Sequence, residues 1–551
     1  MTNRRAYIAV ETHRGTSPIR LRTLCSVGIF SLACLVQGAV HAQLRIVSYN
    51  TLDNPRNATD DGYFNTIFDA ISTKDTNGIA KRVDVMTVQE QTTFSGTSTA
   101  ERMADLLNTL HGVTSYEADL TGTGGDLVGI VYDSSTVSLE ENVNVFTTTR
   151  LTYRAKFQPI GYTSSDAAFY VYSSHFKAGS SASDISTRET EGLILKNNAN
   201  ALPQGTNIIY TGDFNFGDSL EIGYLRLLTS GNGQGFDPID LSSWPGALQA
   251  EHMTQSTRTV AFGGGASGGM DDRFDLQIMT GELLDGEGVS YLGPTSTGLG
   301  ALSHSYQAFG NDGTSWNQDI KTPTTGRSQP ASVLDALHEF SDHLPVVADL
   351  QLPSVMDASL LAPAPSMVDL NDIVSVDALV ENIADVLAAA GADELDYTLN
   401  VSGDLTGGGV IDSTLALSGG NTHEVFLDTS SLGLKSGTIT VASSSLAVEN
   451  SLFEFDIDYE VLVGFLEADF NEDTFVNALD LAQWEGDFGL NGDSDANGDG
   501  ESNGADFLIW QQQNGLSSLM ASSAVPEPSS AAILLSLAVT LLPWLRTNRG
   551  I

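Results

Sequence analysis

Six apolar runs between Gln43 and Leu352 each place a proton- or metal-handling side chain at a boundary, and this pattern limits the fold more than anything else in the chain. "IVSYN" ends at Asn50, "VMTVQE" at Glu90, and "IIYTGDFN" at Asp213 and Asn215. "YVYSSHF" carries His175, "MDDRFDLQIM" opens with Asp271, Asp272 and Asp275, and "FSDHLPVVADL" opens with Ser341, Asp342 and His343. Runs this short and this continuously apolar read as strands covered on both faces. Between them, "TAERMADLLNTL" and "STRETEGLILKNNANAL" have the spacing of amphipathic helices. The expectation is a layered α/β sandwich over residues 43–352, with its chemistry at the strand ends.

Each segment alone has an ordinary explanation. Asp and Asn at the end of a strand commonly cap a turn, a Gln-Glu pair is usually a solvated edge, and a histidine in a strand is usually a satisfied core group. Six such boundaries in one domain make coincidence a poor account.

The set and its order resemble the endonuclease/exonuclease/phosphatase superfamily, with "GDFN" and "SDHLPV" as the specific motifs and "SYN" and "QE" in support. The resemblance covers residues 44–352. It implies a four-layer α/β sandwich and hydrolysis of a phosphodiester or phosphomonoester with Mg²⁺ or Mn²⁺. It implies that Glu90 binds the catalytic metal, with Asn50 and Asp342 beside it. His343 is then the general base, and His175 stands near the leaving group. Asp213 and Asn215 position nucleophile and phosphate, and either Asp272 or Asp275 orients the base, Asp275 being the better match. The chemistry agrees: a cation offsets the charge of a phosphoester, and an imidazole with a carboxylate partner can take a proton from water near neutral pH.

The chain has 551 residues, too many for one core, with 25 Lys and Arg against 69 Asp and Glu, a net charge of −44. Residues 43–352 hold 17 basic and 37 acidic side chains. Such a balance argues against a general binder of phosphate backbones. However, Arg150, Arg154, Lys156, Lys177 and Arg188 cluster in sequence around His175. That cluster favours a secreted nuclease with a nucleic-acid substrate, ahead of a sphingomyelinase-like lipid phosphodiesterase or a phosphatase. An inactive binding scaffold is the alternative of another class.

Residues 1–42 combine arginines, an apolar stretch from Leu24 to Val40 and "AVHAQ", the pattern of a secretory signal cut after Ala42. Both cysteines, Cys25 and Cys34, lie within it. Residues 517–551 carry "VPEP", an apolar run and closing arginines. They resemble a PEP-CTERM sorting tail, which implies an exosortase partner, a membrane segment and a place in the cell envelope. Residues 353–366 read as a Pro-rich linker, and 367–463 as a β-sandwich module with no evident chemistry.

Residues 464–516 hold a repeat with an offset of 26 residues. "DFNEDTFVNALDLAQW" presents Asp469, Asn471, Asp473, Asn477 and Asp480, and "DANGDGESNGADFLIW" presents Asp495, Asn497, Asp499, Asn503 and Asp506. Hard oxygen donors at alternating loop positions suit Ca²⁺. The pair resembles a dockerin, which implies a small α-helical module and a cohesin-like partner. It departs from EF-hand-like loops in Thr474, which stands where a glycine is usual, and in closing with Asp rather than Glu.

Overall fold

The computed structural model describes residues 43–518 apart from 95, 123–125, 242, 245, 262–263, 295–301 and 465. The expected signal segment and most of the expected sorting tail lie outside the described residues. No described helix is long and apolar enough to cross a membrane.

Two mixed sheets form the first part of the chain. The first contains β1 (Gln43–Asn50), β2 (Val85–Gln91), β3 (Tyr116–Leu120) and β4 (Leu127–Asp133). The second contains β5 (Val137–Phe146), β6 (Leu151–Pro159), β7 (Phe169–His175), β8 (Asn207–Asp213) and β9 (Asp275–Thr280). The chain then returns to the first sheet as β10 (Val346–Gln351). The first sheet runs β10-β1-β2-β4-β3 and the second β9-β8-β7-β6-β5, with two-residue strands on their flanks. Each centres on one parallel pair, β1 with β2 and β7 with β8, and its other long-strand pairings are antiparallel.

The inner faces share one core, in which Ile46 and Ala348 of the first sheet join Val171 and Ile209 of the second. Helices α1 (Ala58–Thr73), α2 (Thr99–His111) and α5 (Ala331–Phe340) cover the outside of the first sheet. Helices α3 (Ala182–Asn200) and α4 (Ile222–Leu227) cover the second. The helices start where local chemistry allows. Ser98 and Glu101 form a capping box on α2, as do Ser181 and Asp184 on α3. In α1, Phe64, Ile67, Phe68 and Ile71 recur at helical spacing and are buried. The result is a helix–sheet–sheet–helix stack.

Residues 353–366 do not form a loose tether. Met356–Leu360 is a strand that pairs with Ser375–Asn382, and Met356 and Ala358 enter a core shared by a four-stranded and a five-stranded sheet. Alternation of apolar and polar residues wins over the flanking prolines, which lie outside this strand. These sheets lie against the end of the first stack that holds the start of β1. Leu387 N donates to Gln43 Oε1, and Asp393 accepts from Gly288 N at 2.8 Å.

Beyond them, α6 (Ala478–Asp487) and α7 (Gly504–Gln513) each begin within one copy of the acidic repeat. Trp484 Nε1 donates to Asn503 O at 3.0 Å and Trp510 Nε1 to Asn477 O at 2.9 Å, so each copy's tryptophan holds the ninth position of the other.

Candidate active site

Strand direction brings the boundary residues to one edge. The ends of β1, β2, β7 and β8 meet the starts of the antiparallel β4, β9 and β10 there. In the register, Asp213 lies opposite His175 on one side and Asp275 on the other, while Asn50 lies opposite Gln89. A polar layer beneath ties the two sheets together: Thr211 bonds Thr87 at 2.7 Å, and Gln89 donates to Ser173 at 3.2 Å.

Local backbone chemistry aims the side chains. Gly212 has φ +131°, and a Cβ there would lie 2.0 Å from Ser174 O. Only glycine lets β8 approach β7 this closely just before Asp213. The ladder between β2 and β4 shifts register between Val88 and Gln91, and Glu90 sits in this irregularity with φ +53°. A bulge of this kind turns a side chain out of the strict alternation. Phe214, by contrast, packs with Phe176 and Phe216 on the helix side of its sheet.

Asp213 is the hub. Its Oδ2 accepts from Asn50 Nδ2 at 3.0 Å, and its Oδ1 from Asn215 N at 3.0 Å. His175 Nε2 stands 3.5 Å from Oδ2 and His343 Nε2 3.7 Å from it. Asn50 also donates to Glu90 at 3.1 Å. His343 Nδ1 meets Asp275 Oδ2 at 2.7 Å. Of the two acids that the sequence leaves open, Asp275 is therefore the one against the imidazole, and Asp272 lines the cavity instead. Ser341 Oγ accepts from His343 N at 3.1 Å and donates to Asn50 O at 2.7 Å, which fastens the start of β10 to the end of β1.

Two residues of this site carry no signal in the sequence patterns above. Asp126, one residue before β4, stands 3.1 Å from His175 Nδ1. Gln255 touches His343 Nε2 and donates to Asp342 at 3.2 Å. Asp126 was open to the same logic as Asp275, since an antiparallel strand brings its start to the shared edge. Gln255 lies in irregular backbone, where no period marks it.

Burial opposes charge on His343, but Asp275, Asp213 and Asp342 outweigh it and hold the imidazole well above the ordinary histidine range. Burial raises Glu90, with His175 and His343 offsetting part of the effect. Burial works against the charge of Asp126 too, yet His175 and Arg150 hold it low. Asp272 is pushed up to about 6, by burial and then by Asp271.

Ligand atoms of Glu90, His175 and Asp213 all lie within 4.8 Å of one another. Asp342 does not join this group: its Oδ2 accepts from Ala266 N and Gln255, under a loop where a Cβ on Gly265 would strike its carboxyl. Asn50 offers the group its amide nitrogen, a donor, while its oxygen accepts from Leu52 N. The donor set still suits a divalent ion. A half-buried Glu90 beside Asp213 is a carboxylate pair that a cation would relieve.

Four of the five basic residues around His175 are held in ion pairs, and Lys156 has no ion-pair partner among the described residues. Arg150 pairs with Asp126 at 2.6 Å, Arg154 with Glu141, Lys177 with Asp184 at 3.1 Å, and Arg188 with Glu221 at 2.6 Å. Most of the expected patch for a nucleic-acid backbone is thus engaged in ion pairs, because acids interleave with the bases in space as they do in composition.

In the repeat, Asp469, Asp473 and Asp480 gather within 4.8 Å, whereas Asp495, Asp499 and Asp506 form no such group. Asp480 and Asp506 are both fully buried and accept loop N–H groups, from Asn477 at 2.7 Å and from Asn503 at 2.7 Å. Asn471 and Asn497 each reach the fifth position of their loop, Asp473 at 3.1 Å and Asp499 at 2.9 Å.

No protein-family model and no curated protein matches this chain. Solved structures do match. A humanised D. rerio TDP2 is 14% identical, covering 56% of this chain and 99% of its own, with a TM-score of 0.33. The human Nocturnin catalytic domain with bound sulfate is 14% identical, covering 57% and 96%, with a TM-score of 0.34. An endonuclease/exonuclease/phosphatase from Beutenbergia cavernae is 13% identical, covering 76% and 100%, with a TM-score of 0.31. Likenesses of this strength carry no weight for function, and the case for one rests on the side chains.

Proposed function

We propose that residues 43–352 are a metal-dependent phosphoester hydrolase of the endonuclease/exonuclease/phosphatase type. One observation carries the reading: two imidazoles stand on either side of Asp213 Oδ2, at 3.5 and 3.7 Å, with Asp275 hydrogen-bonded to Nδ1 of His343 and Asp126 3.1 Å from Nδ1 of His175. One can take a proton while the other gives one, as displacement at phosphorus requires.

His343 takes the proton of the attacking water at Nε2, since Nδ1 is committed to Asp275. Asp275 fixes that tautomer and steadies the imidazolium that forms. His175, oriented by Asp126, gives a proton from Nε2 to the departing oxygen. Asn50 and Asn215 supply uncharged polar groups that can face a phosphate without adding negative charge. Glu90 and Asp213 would hold a Mg²⁺ or Mn²⁺ ion, which when bound would neutralise charge on the phosphate. Full-length protein with Mg²⁺ should hydrolyse an activated phosphodiester, and Glu90→Ala should lower kcat by about 10²-fold or more, the scale for losing electrostatic stabilisation. A rate unchanged by Glu90→Ala would contradict the assignment.

The nuclease reading loses most of the basic patch that favoured it, so nucleic acid stands as one arm of the assay rather than the conclusion. The repeat is read as a Ca²⁺ module of dockerin type with a cohesin-like partner. Export before Gln43 and exosortase processing of the tail complete the proposal.

A further inference from the structure

The cavity over the site is about 940 Å³. That is the upper part of the range for whole small-molecule ligands, roughly 300–1,000 Å³, and far more than one phosphate needs. What lines the rest of it is informative. Leu52, Ile185, Leu220, Ile222 and Phe274 face the same space as Glu90, His175, Asp213 and His343. Leu220 is 76% exposed and Ile222 37%. Five apolar side chains that share one cavity with the reacting groups are the kind of lining that receives the apolar part of a ligand.

These side chains are presented on a braced loop. Arg188, only 2% exposed, grips Glu221 through Nε at 2.6 Å and Nη2 at 2.9 Å. Its Nη1 donates to Lys177 O at 2.8 Å and Gly179 O at 2.7 Å. Glu221 in turn accepts from Gly217 N at 3.0 Å, and Leu220 N donates to Asp218 at 2.7 Å. One buried guanidinium thus links the loop after His175 to the loop that carries Leu220. It also consumes the one Lys or Arg that lines the cavity among the described residues. The remaining charged groups there, beyond the reacting centre, are Asp218, Asp272 and Asp342.

We infer that the substrate is a phosphodiester monoanion whose organic part is apolar, seated against Leu220 and Ile222, and not a polyanion. This rests on the phosphoester hydrolase reading. A single phosphate has its charge met at the Glu90–Asp213 centre when a divalent ion is present. Each further phosphate would lie among acids with no unpaired Lys or Arg among the described residues that line the cavity, an unfavourable placement at any salt below full screening. A soluble ester with an aromatic or alkyl group and a phospholipid share this chemistry.

Full-length protein with Mg²⁺ tests the inference on bis(p-nitrophenyl) phosphate, methyl p-nitrophenyl phosphate, a single-stranded DNA oligonucleotide and a short-chain phosphatidylcholine. The aryl diester should have the higher kcat/KM of the two nitrophenyl esters. Leu220→Asp, and independently Leu220→Ala, should narrow that preference by about five- to ten-fold, the worth of one apolar contact. Both variants change an exposed side chain, and an unchanged melting temperature would show that they fold. Cleavage of the oligonucleotide, if seen, should be slower and should improve with salt as repulsion is screened. A rise in phosphatidylcholine turnover above its micelle threshold assigns the apolar part to lipid, and flat turnover assigns it to a soluble ester. An oligonucleotide preferred over the aryl diester, with affinity falling as salt rises, would overturn the inference and leave the hydrolase reading standing. So would an ester preference untouched by both Leu220 variants. Folded protein that cleaves none of the four with Mg²⁺ would sink the hydrolase reading itself.

Discussion

The contact between His343 and Asp275 decides how the site can respond to pH. The neighbouring carboxylates raise the imidazole well above the ordinary value of about 6.5, against the opposing effect of burial. A base must be neutral to act, so activity should climb with pH and reach its midpoint above that value. Asp275 is the strongest of the raising influences. Removing its charge favours loss of the proton from His343, so Asp275→Asn should move the midpoint down. It should also lower kcat by about 10²-fold or more, because the tautomer is no longer held. A pH–rate profile of the variant gives both answers. A midpoint that stays in place or moves up would show that His343 is not the titrating base.

At the scale of elements, α6 and α7 are coupled through their caps. Asn477 and Asn503 cap the two helices, and each gives its carbonyl to the other copy's tryptophan. Ca²⁺ in either loop should therefore be felt at Trp484 and Trp510 together. Chelation of the full-length protein should shift tryptophan emission and lower the melting temperature of this module, and Ca²⁺ should restore both. The paired variant Asp480→Ala with Asp506→Ala should remove the response; a response that persists in it would place the ion elsewhere. The elements also differ in how far the sequence discloses them. β1, β2, β7, β8 and β10 are legible because they are continuously apolar and end or begin on unusual polar residues. The hairpin of β5 and β6 is not, since its exposed face mixes Glu, Asn, Lys and Gln into the run. Helix α1 hides its buried stripe of Phe64, Ile67, Phe68 and Ile71 behind two early acids and a glycine. The role of Arg188 is illegible for another reason: burial and a distant partner, Glu221, turn a surface cation into a brace.

On the scale of the whole molecule, the active edge and the docked β-sheets sit at opposite ends of the same strands. β1 starts at Gln43, beside Leu387, and ends at Asn50, beside Glu90. Eight residues of strand set these ends about 23 Å apart. Asp393 lies at the docking end, where it accepts from Gly288 N, and burial pushes its carboxyl up to about 8. The fold then binds this proton more tightly than the unfolded chain, whose aspartates titrate near 4. The contribution to stability is complete below about 4 and is lost as pH rises towards about 8. Asp393→Asn should raise the melting temperature at pH 8.5 and change it little at pH 4, as scanning calorimetry can show; an equal shift at both would refute the linkage. At the other end of the strands, the hydrolytic centre is tested most directly by turnover of bis(p-nitrophenyl) phosphate. The full-length protein is assayed with Mg²⁺ and after chelation, beside His343→Ala. Turnover should depend on the metal and fall by about 10²-fold or more in the variant. Turnover that survives both chelation and His343→Ala would contradict a metal-dependent centre with His343 as its base.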